Sequence, residues 1–348
     1  MNDEKMRILK MLEEEKISAQ EAVRLMECLG ESGEPKAAKK ERTEDQDDEH
    51  FEEEASHSWV DDIRGAAMEI GRSVREAIDD ESGVFNFDFD WFTSTEKINE
   101  TYFENFRDAD IHTLIIDCYN APIKVVTNES DSSDVVFEIT AGARSSGKHR
   151  NRSRKFEFAA QGGIMRLVYD EKAFKYIGIK INIPKITKLS AIVLKTRNGA
   201  ITVNDLAVGS LEAITKNGAV KIDGCAGQRL TCETKNGGIT LREVEMADIS
   251  AVTKNAKIIL DNISGRECEC FISAETKNAS IKAKLLNEGR ALKVSAATSN
   301  SSIISDIKDL VYYTKEKTRV EAMSVGYENA DYKMDLTLKS ANGKIQVK

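Results

Sequence analysis

Five cations occupy one position of a repeated tetrapeptide. Arg197, Lys216, Lys235, Lys254 and Lys277 each follow a threonine and precede an asparagine. The first four are 19 residues apart and the last follows after 23. If the repeats stack in register, the five side chains form a ladder of like charge. Such a row can track an anionic polymer or receive an acidic segment of the same chain, while the simplest reading is a solvated row at a turn. Glu212, Glu233 and Glu275 lie nearby in sequence as partial counter-charges. A second basic run, Arg144, Lys148, Arg150, Arg152, Arg154 and Lys155, falls between apparent strands at 135–141 and 155–160. Phosphates can draw such a run. No aromatic stacking platform accompanies it, so a basic hairpin loop is expected and nucleic acid is not.

The remaining reactive residue types do not assemble into a reaction centre. His50, His57, His112 and His149 are isolated from any nucleophile setting, and neither G-x-S-x-G nor H-E-x-x-H is present. Cys268-Glu269-Cys270 has no second cysteine pair at zinc spacing, so core or surface thiols are expected. Asp205, Asp223 and Asp261 recur near the end of a strand. An acidic row of that kind is what a polysaccharide lyase on a β-helix would need beside a basic residue. Solvated loop acids are the simpler reading, and no coil carries a glycosidase-like carboxylate pair. The expectation is a non-enzymatic protein with no catalytic residues, cofactor or metal. A polysaccharide-active β-helix enzyme stands as a third alternative.

The 348 residues carry 50 basic and 59 acidic side chains, net −9. The charge is uneven. Residues 1–110 hold 32 acids and 14 bases, net −18, whereas residues 111–348 hold 27 acids and 36 bases, net +9. No apolar stretch is long enough for a membrane span, and Met1 to Lys10 lacks the apolar core of an export signal. Six cysteines are then best read as reduced thiols, and a cytoplasmic location follows as an expectation, with any membrane association through a partner.

Residues 1–30 read as a helical hairpin. Met6, Leu9 and Leu12 make an apolar stripe, Ser18 and Glu21 form a capping box, and Gly30 stops the second helix. So small a hairpin buries little alone, which points to self-association or a protein partner. Residues 31–58, with 11 acids and four bases, read as a disordered linker. Within 59–110, Trp59, Ile63, Ile70 and Val74 give an amphipathic helix over 59–80 suited to packing on protein. Residues 84–92 alternate aromatic and polar side chains, as a capping strand would.

From residue 111 one pattern governs. Thr196-Arg197-Asn198-Gly199 returns at Thr215, Thr234 and Thr253, then as Thr276-Lys277-Asn278-Ala279 and Thr298-Ser299-Asn300-Ser301. Ser340-Ala341-Asn342-Gly343 closes the series, Cys118-Tyr119-Asn120-Ala121 is an outlying copy, and Ala160-Gln161-Gly162-Gly163 a degenerate one. Apolar residues precede the threonine by four and two positions and follow it by five and seven. Each unit is therefore strand, corner, strand. A corner sequence repeated at fixed spacing suits stacked coils better than a meander, and stacked asparagines can form a ladder. The fold class expected is mostly β: a β-solenoid, or stacked two-sheet roll, of 19–22-residue Thr-Lys-Asn-Gly repeats over 111–348. That length gives about 12 coils in a rod of about 55 Å, capped at both ends, with helix 59–80 and the aromatic strand available for the first cap.

These units resemble the bacterial adhesin-like family of unknown function, the YvlB/LiaG/LiaX-like group. The opening Arg7-Ile8-Leu9-Lys10-Met11-Leu12-Glu13-Glu14-Glu15-Lys16-Ile17-Ser18-Ala19-Gln20-Glu21-Ala22 resembles the SHOCT-like helical module that often precedes it, with Glu15 where a glycine is usual. The resemblance implies a role in bacterial envelope stress and no activity. The function expected is thus an interaction or regulatory protein acting through protein–protein contacts. An adhesin-like binder of a surface or wall polymer is the alternative.

Overall fold

The computed structural model describes residues 96–130, 132–144, 153–265, 269–286 and 289–348. The helical hairpin, the acidic linker, helix 59–80 and the aromatic strand 84–92 lie outside the described residues. In chain order the strands are β1 (Glu96–Asn105), β2 (Thr113–Cys118), β3 (Ile123–Asn128), β4 (Asp134–Ala143), β5 (Phe156–Gln161), β6 (Ile164–Tyr169), β7 (Phe174–Pro184), β8 (Leu189–Thr196), β9 (Ile201–Asn204), β10 (Ala207–Thr215), β11 (Val220–Asp223) and β12 (Ala226–Thr234). There follow β13 (Ile239–Arg242), β14 (Glu245–Thr253), β15 (Ile258–Ile263), β16 (Glu269–Thr276), β17 (Ile281–Leu285), β18 (Ala291–Thr298), β19 (Ile303–Ser305), β20 (Leu310–Lys315), β21 (Arg319–Ser324), β22 (Lys333–Ser340) and β23 (Ile345–Val347).

They form two sheets. One runs β1-β4-β7-β3-β9-β11-β13-β15-β17-β23-β19, the other β20-β21-β18-β22-β16-β14-β12-β10-β8-β2-β6-β5. Each coil supplies one strand to each sheet, and strands of successive coils pair in parallel. The stacked roll expected from the repeat is the fold. Ile201, Val220, Ile239 and Ile258 lie over one another in neighbouring strands, none of them exposed. The facing sheet supplies Ile192, Leu211, Leu230 and Ile249 in the same way. The core is the seam between these two apolar faces, extended by Leu206, Cys225, Val244 and Ile263 at the second corner of each coil.

That second corner repeats as well. Asp205, Gly224, Glu243 and Asn262 each hold a left-handed backbone, with φ between 50° and 62°. Glycine, asparagine and aspartate tolerate this region; glutamate does not, so Glu243 is strained there.

The stack is shorter than expected, and its order differs from chain order at both ends. Among the described residues there are nine parallel coils, about 40 Å from first to last, rather than about 12. The unit β2/β3 sits one coil inside the stack, with β6/β7 outside it. At the other end the C-terminal unit β22/β23 is wedged between β16/β17 and β18/β19, so the 340–343 corner does not close the stack. The 42-residue step from Asn300 to Asn342 holds no intervening coil; it holds the antiparallel hairpin β20–β21, which pairs with β18. The tetrapeptide 160–163 is also no coil corner. Gly162 and Gly163, both at positive φ, make the two-residue turn of the hairpin β5–β6.

Antiparallel strands cap the first end. β4 and β1 extend one sheet and β5 the other. Aromatic rings close the gap between them: Phe137 lies 4.1 Å from Phe158, and Tyr102 meets Phe158 edge-on at 5.2 Å.

Candidate anionic-polymer interface at the repeated corner

The corner that carries the cations is built from three stacked ladders. The backbone ladder comes first. The carbonyls of Arg197, Lys216, Lys235 and Lys254 each accept two N–H groups from the next coil, as Lys216 does from Lys235 and Asn236 at 3.1 and 3.0 Å, and the Lys277 carbonyl accepts one, from Asn342. The asparagines form the second. From Asn120 the chain of side-chain bonds runs through Asn198, Asn217, Asn236, Asn255, Asn278 and Asn342 to Asn300, each Nδ2 donating to the Oδ1 of the coil before. The ladder thus follows spatial order, passing through the wedged C-terminal coil.

The threonines form the third ladder, and they are buried. Thr234 Oγ1 donates to the Gly218 carbonyl of the neighbouring coil at 3.0 Å and accepts the N–H of Gly237 in its own corner at 3.2 Å. Thr215 and Ser340 make the same pair of bonds. Serine replaces threonine in one copy and keeps both bonds, so the pair depends on the hydroxyl and not on the β-branch; the outlying copy has Cys118 at this place. Glycine follows because a Cβ at Gly218 would stand 1.8 Å from the Gly199 oxygen. Ala256 and Ala279 occupy that place in two coils. Their Thr253 and Thr276 hydroxyls still donate across coils, at 2.9 and 3.0 Å, but the N–H bonds seen at Gly218 and Gly237 are not formed.

These ladders place Arg197, Lys216, Lys235, Lys254 and Lys277 in five consecutive coils, at about 4.8 Å per step. Arg197 is half-buried and the four lysines are exposed. One end of the row is stopped by Tyr119, whose ring lies 5.1 Å from the Arg197 guanidinium. The other end runs out at Ala341 and Ser299. Of the glutamates expected as counter-charges, Glu212 pairs with Lys195 at 2.9 Å, and Glu233 lies in register between Ile214 and Val252. Among the described residues no carboxylate forms an ion pair with Lys235, Lys254 or Lys277. Two exposed cations missed in the sequence, Lys257 and Lys344, lie just beyond the asparagines on the same edge. Their signal was lost because other coils place Ala219, Gly238 or Ser280 there.

The other sequence candidates are not brought together. Arg144 Nε donates to the Phe174 carbonyl at 2.8 Å, and Arg154 donates to the Arg144 carbonyl at 3.0 Å, so these two brace the base of their loop. Lys155 is exposed, while Lys148, Arg150 and Arg152 lie outside the described residues. Asp205, Asp223 and Asp261 do not form one row. Asp205 is at the left-handed corner position, one residue past the row that holds Asp223, Arg242 and Asp261. Arg242 stands between the two aspartates at 3.7 and 4.0 Å, and Lys284 lies 3.7 Å from Asp261. That is an alternating charge ladder. Cys268 lies outside the described residues. Burial pushes the Cys118 and Cys225 thiols up to about 12 and Cys270 to about 11, which leaves little thiolate near neutral pH. His112 is exposed beside the Thr113 hydroxyl at 3.1 Å.

Several solved structures are similar to this chain at low identity. A candidate cell-adhesion protein from Clostridium sporogenes is 9% identical, covering 72% of this chain and 99% of that one, with a TM-score of 0.30. A candidate adhesin from Bacteroides fragilis is 14% identical, with 73% and 97% covered and a TM-score of 0.36. A candidate lipid-binding protein from Parabacteroides distasonis is 16% identical, with 72% and 97% covered and a TM-score of 0.38. At such scores no property passes from these proteins to this one. No curated protein matches the chain. Residues 3–34 match the SHOCT-like domain, and residues 111–348 match the Toastrack DUF4097 family. With the repeated corner and every strand except β1 inside that second match, the chain belongs to the Toastrack DUF4097 family.

Proposed function

We propose that this chain is a non-enzymatic interaction protein that holds a linear anionic partner lengthwise along its repeated corner. The observation that carries this reading is the row Arg197 to Lys277, five cations in consecutive coils, of which Lys235, Lys254 and Lys277 form no ion pair among the described residues. Like charges stacked at about 4.8 Å repel one another, and a bound polyanion relieves that repulsion. The test is binding of inorganic polyphosphate to the full chain at low and high salt. Affinity should fall as salt rises, and replacing Lys216, Lys235 and Lys254 with glutamine should weaken binding about tenfold or more. Equal affinity in the triple variant, or binding that ignores salt, refutes the reading.

A second reading rests on the pairing of a SHOCT-like segment with the Toastrack repeat in one chain. On this reading the protein works at the cytoplasmic side in bacterial envelope-stress regulation, with the N-terminal segment contacting a protein partner. Pull-downs from stressed and unstressed cells, with the full chain and with a form lacking residues 1–30, test it. The same partners recovered by both forms in both conditions would reject it.

A further inference from the structure

A second surface lies on the outer face of the larger sheet, away from the cationic corner. In β10, β12 and β14 the alternation of inward and outward residues breaks once. Two consecutive residues face outward in each: Gly209 and Ser210, Gln228 and Arg229, Ala247 and Asp248; β8, the next strand on, shows the same break at Ser190 and Ala191. In β16 the alternation is unbroken and Phe271 stands outward, its residue 50% exposed. The break coincides with the sequence period, which is 19 residues through the irregular strands and 23 into the straight one. Where irregular strands meet straight ones the surface steps, and the step is a groove of about 670 Å³. Its floor is Ser210, Arg229 and Asp248 in register across three strands, with Arg229 and Asp248 paired at 3.3 Å. Its wall is Phe271 with Glu269. Behind the wall Tyr327 donates its hydroxyl to Asp335, the register neighbour of Phe271.

We infer that this groove binds a neutral oligosaccharide. The chemistry of the lining decides between ligand classes. Every strand under the groove is interior to its sheet, so no backbone group is left to pair with an extended peptide. Asp248 and Glu269 repel a polyanion. An acyl chain would strip water from the Arg229–Asp248 pair. A polyhydroxylated ring matches what is present: an aromatic face for its C–H edge, and planar polar side chains whose several donors and acceptors suit hydroxyl groups. The groove crosses four strands, about 14 Å, which is the length of a short oligosaccharide rather than of one sugar. This inference is independent of the cationic corner.

The experiment titrates the full chain with three probes, chitopentaose, maltopentaose and cellopentaose, at up to millimolar concentration, following affinity by calorimetry and location by amide shifts. At least one probe should bind and shift the amides of Ser210, Arg229 and Asp248. Phe271→Ala should weaken it about tenfold. Ser210→Trp, which adds bulk outside the core, should abolish it while circular dichroism stays native. The triple glutamine variant of the corner should bind as the parent does. Failure of all three probes, or binding that survives both groove variants, overturns the inference.

Discussion

Replacing Thr234 with valine tests whether the hydroxyl ladder holds the corners together. Valine keeps the β-branch and nearly the same volume, so packing is preserved and only two hydrogen bonds are removed. The Gly218 carbonyl then loses its donor, and the Gly237 N–H loses its acceptor, both at a buried corner. Leaving a buried polar group unsatisfied costs about 1–3 kcal/mol, so the pair should cost about 2–5 kcal/mol. Thr253 offers an internal control, because its hydroxyl donates to Gly237 but accepts nothing from Ala256. Thr253→Val removes one bond and should cost about half as much. Thr234→Ser keeps the hydroxyl, as Ser340 does, and should cost least. The assay is urea unfolding of the full chain followed by far-ultraviolet circular dichroism, comparing midpoints at constant slope. Equal losses at Thr234 and Thr253, or a Thr234→Val loss below about 0.5 kcal/mol, would show that the hydroxyls do not carry the corner.

Three further outcomes follow from the same geometry. Ile239→Asp places a carboxylate in the fully buried seam and should cost several kcal/mol in the same unfolding assay; native-like stability would contradict the burial. Glu243→Gly relieves a left-handed backbone at an exposed corner and should raise stability by about 1 kcal/mol, whereas Glu243→Ala should not; a glycine variant no more stable than alanine rejects the strain. Ending the chain at Tyr332 removes the wedged coil β22/β23 and leaves β16 and β18 without their shared partner, so hydrogen exchange should quicken in β16–β19 while β8–β13 stay protected; unchanged protection in β16 would refute the observed coil order.

The period and the burial of the repeat were legible in the sequence because each coil repeats the same physical requirement. An apolar residue on each side of the corner must meet its copy in the next coil, and an asparagine must reach another asparagine. The order of the coils was not legible, for the same reason. Asn342 can bond to Asn278 and Asn300 as well as any other asparagine could, so the corner motif encodes stacking but not adjacency. Adjacency is set by the connecting segments, where the hairpins β5–β6 and β20–β21 carry no corner motif. The second corner was hidden by mixed chemistry. Asp205, Gly224, Glu243 and Asn262 share a backbone conformation but not a side-chain type.

The cationic row was legible for a different reason, and the groove was not. Charge at a fixed offset from a conspicuous tetrapeptide can be counted directly, although the counter-charges could not, since Glu212 finds Lys195 through the three-dimensional register. The groove depends on a one-residue change of phase. Val208 and Leu211, or Met246 and Ile249, are three apart where a regular strand would place them two or four apart. In the sequence that spacing is indistinguishable from an apolar residue missing by chance. It acquires meaning only when four neighbouring strands, β8, β10, β12 and β14, carry the same break and the next, β16, does not, because a break shared by all coils would bend the sheet uniformly and leave no step. The surface feature therefore belongs to the difference between coils, whereas the corner belongs to what they have in common.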